Sequence, residues 1–493
     1  MTTTQGTGPQ LIAYADRLGG DLRGLRELLT GPLAGAFGGV HVLPFFTPYD
    51  GADAGFDPRD HTFVDPRLGG WDDVRALSST HTVMADVIVN HMSAQSAQFL
   101  DVVAQGDQSP WAGMFLTLSS VYPDGVTEAE LAGIYRPRPG LPFTPMTLGG
   151  RRRLVWTTFT AEQVDLDVRN PLAWEYLTSV IDTLTGAGVR MLRLDAVGYT
   201  GKEPGTDCFM TPSAHALTDR ITAYAHERGA QVLVEVHGHY RQQLEIARQV
   251  DLVYDFALPP LVLHALTAAD LGPLDRWLAV RPANCITVLD THDGIGVVDV
   301  GASDLVPDVP GLMEPEQISA LVDAIHANSR GGSRQATGAA ASNLDLYQVN
   351  CTFYDALGGD DRRYLLARLI QVLLPGVPQI YYVGLLAGSN DLDLLRRTGV
   401  GRDVNRHHYT ADEVERELAR PVVQAQLAAL RLRNSHPAFT GEFAWTLDGT
   451  AAEMSWQRGA DRVALSFDVR DASFTLTASD EGGTREVLTE RSV

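Results

Sequence analysis

Lysine is almost missing from this 493-residue chain: Lys202 is the only one, and arginine supplies the other positive side chains. Against 39 Lys and Arg stand 61 Asp and Glu, leaving a net charge of −22. A surface this acidic repels nucleic acid and anionic membrane, so neither is an expected partner. It repels anionic substrates at long range as well, and any anion bound must be met by a local arginine. Cysteine is scarce too. Cys208, Cys285 and Cys351 are an odd, sparse set, which argues against a disulfide framework and for a reducing, cytoplasmic compartment. No long apolar run is unbroken: "LARLIQVLLPGVPQIYYVGLL" contains Arg368, Gln371 and a Pro375–Gly376–Val377–Pro378 turn. That window predicts a helix, a turn and a strand rather than a membrane span. The N-terminal "MTTTQGTGPQ" has no basic segment leading into an apolar one, so no signal peptide is expected. Fixed-period repeats and low-complexity tracts are absent; "SRGGSRQATGAAASN" (329–343) is Gly/Ala/Ser-rich and predicts a mobile loop.

What is present is a series of short, β-branched-rich apolar runs. They fall at 11–15, 39–46, 82–91, 188–197, 231–237, 251–259, 285–293 and 377–384. Eight buried strands separated by helical spacing predict an α/β fold, a (β/α)₈ TIM barrel. The stretch "PLAWEYLTSVIDTLTGAG" has an apolar stripe, Asn170 as N-cap, Pro171 at the first position and Gly186 near its end, the marks of one barrel helix. Two connections are too long for simple βα loops, so loop-rich subdomains are expected after strands 3 and 7, on the face where barrel active sites lie. After about residue 440 the pattern alternates, as in "AEMSWQRG", "VALSFDV" and "SFTLTAS", and predicts a small C-terminal β domain. The expected organisation is barrel at 1–91, 171–293 and 359–439, insertions at 92–170 and 294–358, and the β domain at 440–493.

Most of these runs end in charged or polar residues: Asp86, Asn90 and His91; Arg193 and Asp195; Glu235 and His237; His292 and Asp293. Side chains at the C-terminal ends of barrel strands project into the mouth. Arg193 and Asp195 are two apart and share a strand face; the arginine is expected to lower the Asp195 pKa and keep a nucleophile ionised. Glu235 has mostly apolar neighbours, so desolvation is expected to raise its pKa, which suits a general acid. Two such carboxylates are what a retaining glycosidase-type mechanism requires, with Asp293 as a stabiliser of oxocarbenium-like states. A lone Arg-x-Asp in a strand is more often a structural ion pair. Four charged clusters at four strand ends are harder to assign to structure alone. His91, His237 and His292 show no metal-ligand spacing, and are read as sugar hydroxyl contacts.

These residues carry a resemblance to the α-amylase superfamily, glycoside hydrolase family 13. Its sequence regions resemble "DVIVNH" (86–91), "GVRMLRLDAV" (188–197), "EVHGH" (235–239) and "DTHD" (290–293), with "QVDLDVRNP" (163–171) as an additional motif. The resemblance implies Asp195 as nucleophile, Glu235 as acid/base, Asp293 as transition-state stabiliser and Arg193 as the holder of the nucleophile. Within the superfamily, "LPFFTPYDGADAGFDPRDHTFVDPRLGGW", "IYRPRPGLPFT", "ASNLDLYQVN" and "GRDVNRHHY" are similar to the sucrose phosphorylases. That group implies sucrose and inorganic phosphate as substrates and α-D-glucose 1-phosphate and D-fructose as products. It further implies that Asp53 and Arg402 grip the far glucose hydroxyls, helped by His91 and His292. Phe56 would be an apolar platform, with Phe159 and Gln163 in the same pocket. On the acceptor side it implies Tyr135 and Arg138 from one loop and Asp345, Tyr347 and Gln348 from another. Arg138 turned inward would bind phosphate; Asp345 turned inward would suit fructose. The "RRR" run at 151–153 is read as solvated surface charge. The superfamily's calcium ligands are represented by Asn90, but this group does not generally depend on calcium, so no metal and no cofactor is expected. Relatives are often homodimers. Three rivals share parts of the pattern: phosphorylases of sucrose 6′-phosphate, glucosylglycerol or glucosylglycerate; an α-glucosidase or transglucosidase; and a non-catalytic amylase-like binding subunit. The stretch "PMTLGGRRR" (145–153) departs from the family's pattern and is where substrate or stability preferences would shift.

Overall fold

The computed structural model describes residues 8–303, 309–337 and 348–493. Eight parallel strands close into a barrel: β1 (Gln10–Ala13), β2 (Gly39–Val42), β3 (Thr82–Ile88), β4 (Met191–Asp195), β5 (Gln231–Val234), β6 (Leu252–Asp255), β7 (Cys285–Thr287) and β8 (Val377–Tyr381). Each pairs with its neighbours in sequence, and β8 returns to β1. Every residue of these strands is buried except Thr82 and Gln231 at two starts. Burial on both faces is why each appears in the sequence as an unbroken apolar run rather than an alternation.

The strands are shorter than the runs that announce them. The run 285–293 is strand only over Cys285–Thr287, and 39–46 only over Gly39–Val42. Past these points backbone amides leave the ladder and turn to side chains: Ala196 N–H donates to Glu235 Oε2 at 3.2 Å, and Asp293 N–H to Thr291 Oγ1 at 3.2 Å. Glu235, His237, His292 and Asp293 therefore stand just beyond the strand ends. The helix Pro171–Gly186 forms as its sequence predicts. Asn170 caps it by accepting from Leu172 N–H at 2.9 Å, and Leu177, Val180, Ile181 and Leu184 face the core.

The barrel interior is filled in layers. A lower polar layer joins Gln379 Nε2 to Gln10 Oε1 at 2.8 Å and Tyr254 O–H to Gln379 Oε1 at 3.3 Å. Above it lie His41, Asp86 and Arg193, and above those the mouth. Between β3 and the helix Pro171–Gly186, the strand His91–Ser93 pairs antiparallel with Gln163–Asp165, which carries residue 163 back to the mouth. After β7, the short strand Ile295–Gly296 pairs with Gln348–Val349. Part of the stretch expected to be a loop at 329–343 is helical, over Gly332–Thr337; residues 338–343 lie outside the described residues.

The chain ends in an antiparallel sheet of β9 (Glu442–Asp448), β10 (Ala451–Arg458), β11 (Asp461–Asp468), β12 (Ser473–Asp480) and β13 (Gly483–Thr489), paired in that order. The three central strands are those the alternation announces. The outer two are more exposed; β9 still alternates Phe443, Trp445 and Leu447 with polar or small residues, whereas β13 lacks a clean apolar period. Trp456 of β10 docks on the barrel, donating from Nε1 to Leu373 O at 2.6 Å. Among the described residues no helix is long and apolar enough to cross a membrane.

Candidate active site

The pocket at the barrel mouth is organised around one guanidinium. On β4, Arg193 lies in register with Asp86 on β3 and is 2% exposed. Its Nη1 donates to Asp86 Oδ1 at 2.6 Å and to Asp195 Oδ1 at 2.7 Å, and its Nη2 is 3.5 Å from Glu235 Oε1. Asp86 also contacts His41 Nε2 at 2.9 Å. Burial works against ionisation of Asp86, but His41 and Arg193 outweigh it and pull its pKa down to about 2. Directly after Asp195, Ala196 adopts a left-handed conformation (φ 56°), which aims its amide at Glu235. A non-glycine residue there is strained backbone, held where the chemistry is expected.

The ionisation expected of Asp195 needs correcting. Burial pushes its pKa well above the ordinary carboxyl value; Arg193 pulls it down, while Glu235 and Asp86 push it up again. The direction is upward because one guanidinium serves three carboxylates. A lone Arg–Asp pair would shift the carboxyl the other way.

Asp53, Arg402 and Asp293 form the far wall. Arg402 Nη2 donates to Asp53 Oδ1 at 3.1 Å, and its Nη1 bonds Asp293 Oδ1. Burial opposes ionisation of Asp53, yet Arg402, Arg406 and Arg138 bring its pKa down to about 2. Asp293 is held well below the usual range, burial being overcome by His292, Arg402 and Arg406. The loop bearing Asp53 is fixed by Asp57, which accepts from Ala52 N–H at 2.8 Å and Asp53 N–H at 3.1 Å. Gly51 permits this approach: a Cβ there would lie 2.4 Å from Asp57 Oδ1.

His91, Gln163, Phe56 and His292 complete that side. Gln163 Nε2 lies 3.1 Å from His91 Nε2, 3.2 Å from Phe56 O and 3.4 Å from Asp53 Oδ2. The rings of Phe56 and His292 stack at 4.7 Å, so one face of the expected platform is already covered. Burial drives the His292 pKa down to about 3 and keeps that ring neutral at neutral pH.

The opposite side is aromatic and loop-borne. Phe159 packs edge-on to Tyr199 at 5.2 Å, and Tyr199 stacks on Tyr135 at 6.1 Å. Arg138, Gln348 and His237 line the same pocket as Asp195, Glu235 and Asp293, whereas Tyr135 stands behind Tyr199. Arg136 fastens the Arg138 loop by donating to Thr158 O, Pro139 O and Leu141 O, each at 2.8 Å. Asp345 and Tyr347 lie outside the described residues. Arg151 and Arg152 are exposed, and Arg151 and Arg153 each approach Asp107 at 3.4 Å.

Two further features were not singled out from sequence. Tyr199 and Phe209 line the pocket; Tyr199, four residues past Asp195, carried the only available signal. The solitary Lys202 is buried in an oxygen cage, with Nζ 2.8 Å from Asp165 Oδ2, 3.1 Å from Thr158 Oγ1 and 3.4 Å from Asn90 Oδ1, and bonded to Tyr199 O. An ammonium group from the chain itself thus fills the position beside Asn90. Glu235, His237 and Asp293 bring donor atoms within 4.8 Å of one another. Each is committed within the chain, to Arg193 and the Ala196 amide, to Asp299 and to Arg402 respectively. The trio's donor atoms are thus already engaged by other groups of the chain.

Residues 2–245 match the α-amylase catalytic-domain family. The chain is 54% identical over 461 residues to a sucrose phosphorylase of Bifidobacterium adolescentis, covering 93% of this chain and 92% of that one. It is also 54% identical over 473 residues to a sucrose phosphorylase of Agrobacterium vitis, covering 95% and 96%. Among solved structures it resembles the sucrose 6F-phosphate phosphorylase from Thermoanaerobacter thermosaccharolyticum, with a TM-score of 0.90 and 36% identity over 99% of this chain and 98% of that one.

Proposed function

This chain belongs to the α-amylase family, and from that premise we propose that it is a retaining α-glucoside phosphorylase that cleaves sucrose with inorganic phosphate. The products are α-D-glucose 1-phosphate and D-fructose. In the first step Asp195 attacks the anomeric carbon of the glucose unit while Glu235 delivers a proton to the departing fructose oxygen. Asp293, held anionic by its arginines, faces the positive charge that develops on the sugar ring. In the second step phosphate attacks the β-glucosyl-enzyme from the side that fructose vacated, so two inversions give net retention.

One observation supports phosphate over water as the acceptor. Arg138 shares a pocket with the three carboxylates, in a protein whose net charge of −22 otherwise disfavours anions. The test is sucrose turnover with and without phosphate, with product identification. Phosphate-dependent formation of α-D-glucose 1-phosphate supports the reading; free glucose as the main product at saturating phosphate overturns it. The sucrose 6F-phosphate reading is separated by comparing phosphorolysis of sucrose and its 6′-phosphate. A cytoplasmic setting and a homodimer belong to the same reading. Three free, buried cysteines support the first, and light scattering tests the second.

A further inference from the structure

Behind the acceptor side lies a buried carboxylate that the mechanism above leaves unused. Asp299 is fully buried. Its Oδ1 accepts from Gly238 N–H and Gln243 Nε2, each at 3.1 Å, and its Oδ2 lies 2.9 Å from His237 Nδ1. Among the described residues its one ion-pair partner is that ring, so the charge of a buried carboxylate is balanced locally by His237. The ring is stacked on Phe256 at 3.8 Å, and its Nε2 is 3.9 Å from Glu235 Oε1. Gly296 makes room for the pair: a Cβ there would lie 2.2 Å from Asp299 Oδ2 and 3.3 Å from His237 Nδ1. Gly296 in turn pairs across the sheet with Gln348, which lines the acceptor end of the pocket.

We propose that Asp299 is a positioning residue for an anionic acceptor: it fixes the His237 ring from behind, with Nε2 facing Glu235 and the acceptor space, where the ring acts together with Arg138. This deepens the phosphorylase reading and rests on it. Burial alone would lower the pKa of His237, but Asp299 and Glu235 raise it above the ordinary histidine value, with Asp293 adding to the effect. With its protonated form favoured in this way, the ring suits phosphate as a second cation beside Arg138, while to neutral fructose it is a hydrogen-bond donor only.

Asp299→Asn separates charge from shape. The amide oxygen still accepts from Gly238 and Gln243, whereas the amide nitrogen now donates to Nδ1 and leaves a neutral ring protonated on Nε2. Two quantities are measured: the KM for phosphate in sucrose phosphorolysis, and the rate at which labelled fructose exchanges into sucrose without phosphate. The expected result is a phosphate KM raised about tenfold, with exchange reduced less than about twofold. An unmoved phosphate KM, or parallel loss of both activities, overturns the proposal. If the variant does not fold, ¹⁵N NMR of the wild type decides: a doubly protonated His237 ring at neutral pH supports the role, and a neutral ring overturns it. A wild type that cleaves sucrose without regard to phosphate defeats the functional reading itself. A phosphate-dependent wild type with no selective effect in the variant defeats this inference alone.

Discussion

The two ends of the pocket are built differently. At the end proposed to hold the donor, Asp53, Arg402, Asp293, His91 and Gln163 hold one another through direct bonds, and the Arg193–Asp86 pair beneath is tied to barrel strands in register. At the acceptor end, Arg138 and Gln348 come from long excursions after β3 and β7, joined by aromatic stacks and a two-residue strand pair. A site that always receives the same glucose unit can be preorganised on rigid elements. A site that must receive fructose and phosphate in turn is better carried on loops. The comparison predicts that donor-end changes harm every reaction alike, whereas acceptor-end changes discriminate between acceptors.

The largest expected effect is from Asp195→Asn, which removes the group proposed to attack. Sucrose cleavage should fall by about 10⁴-fold or more with phosphate, fructose or water as acceptor. Single-turnover assays check this, and persistence of any one activity would break the comparison at its base. Arg402→Ala comes next, since it strips Asp53 and Asp293 of a shared buried partner. A loss of about 10² to 10³ in kcat/KM is expected, equal for all acceptors.

Lys202→Met tests the frame behind both ends rather than either one. It would leave Asp165 buried without its ammonium partner, at a cost of about 3 kcal/mol in denaturant-measured stability. Arg138→Ala should be selective: the phosphate KM rises about tenfold while hydrolysis of sucrose is kept. Equal loss of both would move Arg138 to the donor side of the comparison.

The smallest effect is on pH dependence. His292 has a folded pKa near 3 against an ordinary 6.5, so the unfolded chain takes up that proton first as pH falls. Its share of stability is therefore lost on acidification from 6.5 towards 3. A His292→Gln variant should lose stability less steeply over that interval in acid-unfolding titrations. A steeper slope would contradict the burial that keeps the ring neutral.

Sequence and structure agree unevenly across the chain. The barrel strands were legible because burial on both faces leaves a run of apolar residues, as in "MLRLDAV" (191–197) at β4, where only Arg193 and Asp195 interrupt. His91, Arg193, Asp195, Glu235 and Asp293 were legible because strand ends are fixed by that same pattern, whereas Asp53, Gln163 and Arg402 came only from the family resemblance. The boundaries were not, since Val288 and Leu289 continue the apolar run after the strand has ended at Thr287. Strand β13 left little trace for the opposite reason: an exposed edge strand needs no apolar period. Asp299 carried no local signal, because its partner His237 is 62 residues away.

The sequence by itself determined the barrel, the carboxylates at its mouth and the need for a local cation in an acidic chain, because burial period and residue type are local properties. Only the tertiary structure decided how charge is shared among them. Asp86, Asp195 and Glu235 meet on one guanidinium, and the sole lysine closes a cage drawn from four separate segments. Ionisation depends on every charge within a few ångströms, and those distances exist only once the chain has closed on itself.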